Sequence, residues 1–432
     1  MPIVCFGETT NTKIDIMRSM AKECDKLHTV VDLFCGAGGL SLGFDSGLGY
    51  QHIFAADSWA PAVATYRDNF GDYISEQAID ERIDLPTASV IIGGPPCQGF
   101  TSAGRRKVHD ERNSLVRVFG LLIAKYRPQA FVFENVEGFL TTGRGRFLLD
   151  LLTPVVAAGY QVHARKINAA NYGVPQHRKR VIVVGGLGFD PGFPSPTHRA
   201  YGAPGAHLVA NGKPPTPTLK EAIASLPKPT NHPPGSVDGH YVRELSATDL
   251  ERAKMMSPGD TMRDLPEHLQ HTSYRKRANR RVADGMPTER RGGPPSGMRR
   301  LRPDEPSKAI TGAALRDFLH YSEHRSLTIR ECARLQTYPD GFRFHGTPGE
   351  QIQQIGNGVP PKLASRIAST LASALVKNQC KASRNSGRLL SFRPTASGGR
   401  SPALNDVCEL VAKQFDYSVA DNNDQELFIW QR

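Results

Sequence analysis

An α/β fold built on a parallel sheet, followed by a loop-rich second region, is predicted for this chain by two observations. Between Val30 and Gly186, short runs rich in Val, Ile and aromatics alternate with amphipathic stretches of helical length. Parallel strands joined by covering helices produce that alternation. From Pro191 to Gly239, 17 of 49 residues are Pro or Gly, too many missing donors and fixed φ angles for long helices or central strands. With 432 residues the chain has room for two or three domains, and burial of a core is not a difficulty.

In chain order, the β-rich runs are Thr29–Phe34, His52–Ala56, Ser89–Gly93, Ala130–Val136, Tyr160–Ile167 and Arg180–Gly185, most of them ended by Gly or Asp. Leu115, Val118, Phe119 and Leu122 recur at helical spacing, as a helix lying on a sheet would place them. Tyr274 to Arg302 carries ten Lys or Arg against two acids, with seven Gly or Pro among them. That composition suits either a solvated charge run or loops that track phosphates. Helical periodicity returns at Thr328–Gln336 and Pro360–Lys377, where Pro361 suits a first turn. Gln379–Arg400 has five Lys or Arg and no acid, and Ser401–Arg432 six acids against two bases, which reads as a flexible linker with one helix at Leu404–Phe415.

Composition excludes several classes. Hydrophobic residues are 39% and charged residues 22% of the chain, close to ordinary globular usage, so disordered, collagenous and coiled-coil chains are disfavoured. A net charge of +12 points to a polyanionic partner or an anionic membrane surface. No run approaches the roughly 18 apolar residues that cross a bilayer, and Met1 to Lys13 lacks the basic and apolar regions of a secretory leader. Seven cysteines without a CxxC pair argue against a disulfide framework or a zinc finger. A reducing cytoplasmic setting, with no metal site, is expected.

Four short blocks carry chemistry. Asp32-Leu-Phe-Cys-Gly-Ala-Gly-Gly39 ends the first run and opens a helix, where glycines let backbone N–H groups approach a ligand. Ser41 stands where a dinucleotide fingerprint needs Gly or Ala, and Asp57 ends the second run, where an acid can accept both hydroxyls of a ribose. Gly93-Gly-Pro-Pro-Cys-Gln-Gly-Phe100 places a cysteine at a strand's crevice edge, its approach stiffened by two prolines. Phe131-Val-Phe-Glu-Asn-Val136 interrupts a buried run with a carboxylate, which costs several kcal/mol to bury without a partner. Gln176-His-Arg-Lys-Arg180 puts Arg178 and Arg180 on one side of an extended segment.

In this order the blocks resemble those of the DNA (cytosine-5) methyltransferases of bacterial, restriction-modification type. DLFCGAGGLSLGF (32–44) matches the cofactor loop, GGPPCQGF (93–100) the nucleophile loop, FENV (133–136) the acid-bearing strand and QHRKR (176–180) the arginine block. LTIRECARLQTYPD (327–340) and QIGNGVPP (354–361) follow a variable region. The resemblance runs from Asp32 to about Lys377 and implies a Rossmann-like S-adenosylmethionine-dependent methyltransferase fold with a second, smaller loop-rich target-recognition domain. The implied organisation is an N-terminal segment (1–28), a catalytic and cofactor-binding domain (29–189), a target-recognition domain (190–323), a return to the catalytic domain (324–378), and a basic linker with a C-terminal extension (379–432).

The resemblance also implies roles. Phe34, Gly36, Gly38, Asp57, Asp80, Pro96 and Asn357 would surround S-adenosylmethionine, with Asp57 on the ribose and Asp80 toward the adenine edge. Ser58 fills the slot after the ribose acid, with Trp59 beside it. Cys97 would add to cytosine C6, making C5 nucleophilic enough to accept a methyl group. Glu134 would hold N3 and the amino group. Arg180 would reach the base carbonyl and Glu134, and Arg178 the nucleophile loop or a phosphate. Gln98, Arg299, Arg300, Arg302 and Thr311 would contact double-stranded DNA, from which the target base must be flipped. The implied protein is a monomer whose function is matched to a separately acting restriction endonuclease. Methylation of tRNA, a nicotinamide oxidoreductase and a catalytically silent DNA-binding relative are the rival readings. The cysteine signature of tRNA enzymes is absent, an oxidoreductase leaves PPCQG and QHRKR unexplained, and intact Cys97, Glu134 and both arginines count against a silent relative.

Overall fold

The computed structural model of the chain describes residues 27–45, 47–96, 114–200, 212–233, 235, 237–272, 274–275, 297–378, 387–395 and 401–417. The first half contains β1 (His28–Leu33), α1 (Gly39–Phe44), β2 (Tyr50–Asp57), α2 (Ala60–Phe70), β3 (Ile74–Glu76), β4 (Val90–Gly93), α3 (Ser114–Tyr126), β5 (Ala130–Val136), α4 (Arg146–Ala157), β6 (Tyr160–Asn168), β7 (Gln176–His177) and β8 (Lys179–Leu187). The rest supplies α5 (Leu219–Ile223), α6 (Ala247–Met255), β9 (Arg299–Arg300), β10 (Ser307–Lys308), α7 (Ala314–Asp317), β11 (Phe318–Leu319), α8 (Ile329–Leu335), α9 (Pro348–Asn357), α10 (Pro361–Asn378), β12 (Arg388–Arg393) and α11 (Pro402–Phe415).

Eight strands form the main sheet in the order β12-β6-β8-β5-β4-β1-β2-β3. The expected parallel arrangement holds with one exception: β8 runs antiparallel to both β5 and β6. The cause is local. Residues 169–178 between β6 and β8 hold only a 3-10 turn and the short β7, and a parallel return needs a crossover of about a dozen residues or more. The order reverses between β1 and β4, since β1 has β2 on one side and β4 on the other. A crevice therefore opens beyond the carboxyl ends of these strands.

Alternation along the strands supplies both faces. Phe131, Phe133, Val181 and Val183 pack with Phe119, Leu122, Leu148 and Leu152 of α3 and α4. Val132, Ile182 and Val184 pack on the other face with Leu40, Phe44, Leu363 and Ile367 of α1 and α10. A third cluster joins α5, α7, α8 and α9 through Ile310, Leu327, Leu335 and Ile355. A smaller one, around Met256, Met262, Leu265 and Met298, lies under the loop-rich region. Capping boxes of Thr328 with Glu331 and Thr347 with Glu350 start α8 and α9.

The segment read from sequence as a linker and one helix is part of this body. β12 adds to the sheet edge parallel to β6, with Leu389 and Phe392 in the core beside Val407, Cys408 and Val411 of α11. His163 fastens it: Nδ1 lies 2.7 Å from Ser391 Oγ, and Nε2 lies 2.8 Å from Asp190 Oδ1. The helix at Leu404–Phe415 is present as α11. Its approach requires Gly145, which has φ +84 and where a Cβ would sit 3.1 Å from Val407.

Candidate active site

A cleft of about 1170 Å³ crosses the carboxyl ends of β1, β2, β4 and β5. One half is shaped by the Gly-rich turn. Phe34 sits in the left-handed region at φ 58, as do Gly36 at 54 and Gly38 at 81. That conformation costs a non-glycine residue about 1 kcal/mol or more and persists where surrounding structure imposes it. It turns the Gly36 N–H onto Asp57, whose Oδ2 accepts at 2.8 Å while Oδ1 accepts from the Trp59 N–H at 2.9 Å. Burial pushes the Asp57 carboxyl up, and these amide donors oppose the shift. Phe34, Gly36, Asp57, Pro96 and Asn357 line the cleft, as do Ser58 and Trp59. Gly38 stands just behind, where a Cβ would come within 2.3 Å of the Phe70 ring.

Asp80 is not in that wall. The cleft is lined instead by Gln77, Ala78 and Ile79, and the Asp80 carboxylate turns away to Arg82 at 2.7 Å. Asp32, by contrast, lines the cleft without a role from sequence. Its Oδ2 accepts from Ser41 Oγ at 2.6 Å, while Oδ1 is buried without a partner. Burial is the main cause that pushes this carboxyl up to about 8. The signal was an acid inside the apolar run VVDLF. Ser41, the mismatch to a dinucleotide fingerprint, is the residue that holds it, and Ser41 Oγ also lies 2.8 Å from Tyr66 Oη.

The other half of the cleft is charged. Glu134, 7% exposed, lies near the end of β5, and the β5–β8 register pairs Val136 with Arg180. Residues two apart share a face, so Arg180 reaches diagonally to Glu134 and places Nε 2.7 Å from Oε1. The Gly-Gly-Pro-Pro turn runs against this pair. A Cβ on Gly94 would lie 3.2 Å from Glu134 Oε2, and Asn135 Nδ2 donates to the Pro95 carbonyl at 3.3 Å. Pro96 ends this described stretch; Cys97 and Gln98 lie outside the described residues.

Arg178, which also lines the cleft, is fully buried and holds main-chain carbonyls, donating Nη1 to that of Ile310 at 2.9 Å and Nη2 to those of Gly356 and Gly358 at 2.7 and 3.0 Å. Gln176 works beside it, accepting from the Ile310 N–H at 2.9 Å and donating to the Leu335 carbonyl at 2.8 Å. Two residues apart in one motif, Arg180 thus meets a carboxylate and Arg178 the main chain at the joint between the sheet and α8–α9. Arg300 is a second correction. Expected on DNA, it is 3% exposed and donates to the carbonyls of Met256, His320, Glu323 and Ala253. Arg299 is half-buried on β9, Arg302 is exposed, and Thr311 is exposed and lines the cleft with Gly312. Among the described residues no group of three or more His, Cys, Asp or Glu could hold a metal, and no helix is long and apolar enough to cross a membrane.

A mixed sheet with its crevice at the strand-order reversal, a ribose-type acid at the end of β2 and a Glu–Arg pair across the cleft belong to the class of Rossmann-like methyltransferases. The model of the C-5 cytosine-specific DNA methylases matches residues 28–373, and the chain belongs to that family. It is 32% identical to the Type II methyltransferase M.AgeI of Thalassovita gelatinovora, over 80% of this chain and 99% of that protein. To the Type II methyltransferase M1.HphI of Haemophilus parahaemolyticus it is 33% identical, over 79% of this chain and 86% of that one. In fold it is similar to a prophage-encoded DNA modification methyltransferase from E. coli, with TM-score 0.60 at 23% identity over 81% of this chain and 99% of the other. The S. pombe Dnmt2 methyltransferase follows at TM-score 0.51 and 15% identity, over 82% and 100%.

The reaction is methyl transfer from S-adenosylmethionine to C5 of cytosine in DNA. The cleft fits that donor: Asp57 is held by two amides at the end of β2, and Asp32 presents a buried oxygen without a partner beside the Gly-rich turn. The tRNA and silent-relative readings are not favoured by these matches. The family match ends before β12 and α11, although Ser401 and Leu404 of that last segment line the cleft.

Proposed function

We propose that the enzyme methylates a cytosine flipped out of a specific duplex sequence, and that it is the modification partner of a separately encoded restriction endonuclease in a bacterial cytoplasm. The Type II names of its relatives support the second part. The single observation that carries the first is the Glu134–Arg180 pair beside the Gly-Gly-Pro-Pro turn.

Asp57, Phe34, Gly36 and Asn357 would hold S-adenosylmethionine, with Asp32 facing the same half, and the bound cofactor would supply an electrophilic methyl group. Cys97 is the nucleophile. Its thiolate adds to C6, and the electron pair of the C5–C6 bond becomes available at C5. After methylation, loss of the C5 proton restores that bond and expels the thiolate. Glu134 hydrogen-bonds the base at N3 and its amino group, stabilising charge that develops as the thiolate adds. Arg180 orients Glu134 and reaches the base carbonyl. Arg178 acts indirectly, by holding the 310–312 segment and the end of α9 at the rim. Arg299, Arg302 and Thr311, with Gln98, face the DNA backbone or the groove.

Bisulfite sequencing of a host carrying the gene is expected to show one methylated sequence context. Cys97→Ala is expected to abolish that methylation while leaving the affinity for S-adenosylmethionine unchanged. A Cys97→Ala enzyme that still methylates, or tritium from the cofactor found in tRNA but not in DNA, defeats the proposal.

A further inference from the structure

We propose that Lys166 and Glu137 form a positioning pair that leaves Arg180 to Glu134. The inference rests on the reading that Glu134 holds the target base, and it concerns residues that no block of the sequence singled out.

Two carboxylates leave β5 within one turn of chain. Glu134 stands two residues before the strand's last residue, Val136, and Glu137 opens the 3-10 turn that follows. Both line the cleft, together with Lys166, Lys179 and Arg180. Lys166 comes from β6, where its neighbour Ile167 pairs with Arg180 across β8. Its side chain is only 15% exposed, and Nζ lies 2.7 Å from Glu137 Oε2. Arg180 is committed elsewhere, with Nε on Glu134 at 2.7 Å and Nη1 on the Lys179 carbonyl at 2.7 Å.

Three cations face the two carboxylates. Burial, the largest influence, works to raise the Glu137 carboxyl, and the Lys166 ammonium together with the charges of Lys179 and Arg180 outweighs it, so that Glu137 is held below its ordinary range. The Arg180 charge therefore reaches both carboxylates. Take Lys166 away and Glu137, whose side chain is 54% exposed, loses its partner at 2.7 Å, with Arg180 the inner cation to which it can turn. A guanidinium shared with Glu137 no longer holds Glu134 in one orientation. Loss of orientation at a reacting centre lowers the rate without a large change in binding. A structural tie between β6 and the turn would instead cost stability whatever the state of Glu137.

The test is a double-mutant cycle on the full-length enzyme, read as single-turnover transfer of tritiated methyl to unmodified genomic DNA. Lys166→Met is expected to slow transfer about tenfold, with the KM for S-adenosylmethionine unchanged. Lys166→Arg restores the rate. In the Glu137→Gln background the same Lys166→Met change has no further effect, because the competing anion is gone. A further fall in that background, or an undiminished rate in the single Lys166→Met variant, overturns the proposal. Misfolding cannot imitate the expected result, since a fold that needs Lys166 would fail in both backgrounds. Glu134→Gln separates the two levels. If that variant transfers methyl at the wild-type rate, the reading of Glu134 fails; if it is slow while Lys166→Met is not, only the pair fails.

Discussion

Basic side chains serve opposite ends in two regions of this molecule. In the cleft they meet carboxylates and open space: Arg180 on Glu134, Lys166 on Glu137. In the loop-rich region and its junction several are buried and meet main-chain carbonyls, although Arg252 also pairs with Asp249 and the buried Arg325 with Glu323 and Glu331. Arg300 donates to four of them, Arg252 to Leu269 at 2.6 Å, and Arg330 to Asp238, Pro339 and Phe342 at 2.8, 2.9 and 2.7 Å. The difference follows from backbone accounting. The strands β9, β10 and β11 are two residues long, so ladders satisfy few carbonyls there, and buried carbonyls need donors. An arginine offers five donors in a fixed fork and no acceptor. In a region poor in regular structure it replaces the missing ladder.

The largest effect expected from breaking this contrast is on the side that does have a ladder. Ending the chain at residue 386 removes β12 and α11 and with them the burial of Leu389, Phe392, Val407 and Val411. At about 1.5–3 kcal/mol for each such side chain, the loss reaches the whole stability of an ordinary domain. The truncated chain is expected to be insoluble or to lack a cooperative melt by circular dichroism. A cooperative melt near that of the full chain would show the extension to be dispensable.

Next in size is the contrast within one short motif. Arg300→Met leaves several buried carbonyls without donors and is expected to cost about 3 kcal/mol in urea unfolding. Arg302→Met, two residues on and exposed, is expected to leave the unfolding midpoint unchanged and to lower the salt slope of DNA binding by about one. Equal effects of the two on stability would erase the distinction between scaffold and surface.

The smallest effect sharpens the cleft side, where the Asp32 carboxylate has no ion-pair partner among the described residues. Asp32 is pushed up to about 8, chiefly by burial, so the folded state favours its protonated form. The stability this lends is fully present below the ordinary carboxylate range and is lost as pH rises through about 8. Without cofactor, Asp32→Asn is therefore expected to gain on the wild type in melting temperature as pH rises from 5 to about 9. A constant difference across that range would mean that Asp32 does not titrate there.

Much of the cleft was legible before any coordinates. Phe34, Gly36, Asp57, Pro96, Glu134, Arg180 and Asn357, all named from the sequence, line one cleft, because they sit at or near the ends of strands and helices whose places the alternation of apolar residues already sets. What escaped reading depended on which side chain each acid meets. Asp32 is explained by Ser41 and by burial, Glu137 by Lys166 on another strand, and Asp80 is drawn off by Arg82 through a turn of its own. The reversed strand was readable in principle from the short 169–178 connection, and β12 was hidden by the basic composition around it.

The chain by itself determined the α/β class, the crevice at the ends of β1 and β4, and the chemistry of the four blocks, since period, turn residues and side-chain type are local properties. The tertiary structure alone decided which of two arginines in QHRKR pairs with Glu134, that Arg300 is scaffold, and that the last thirty or so residues of the described chain complete the sheet. Those outcomes depend on which carbonyls and carboxylates are brought near each cation. That is a matter of packing between segments 20 to 228 residues apart, which local patterns of sequence do not record.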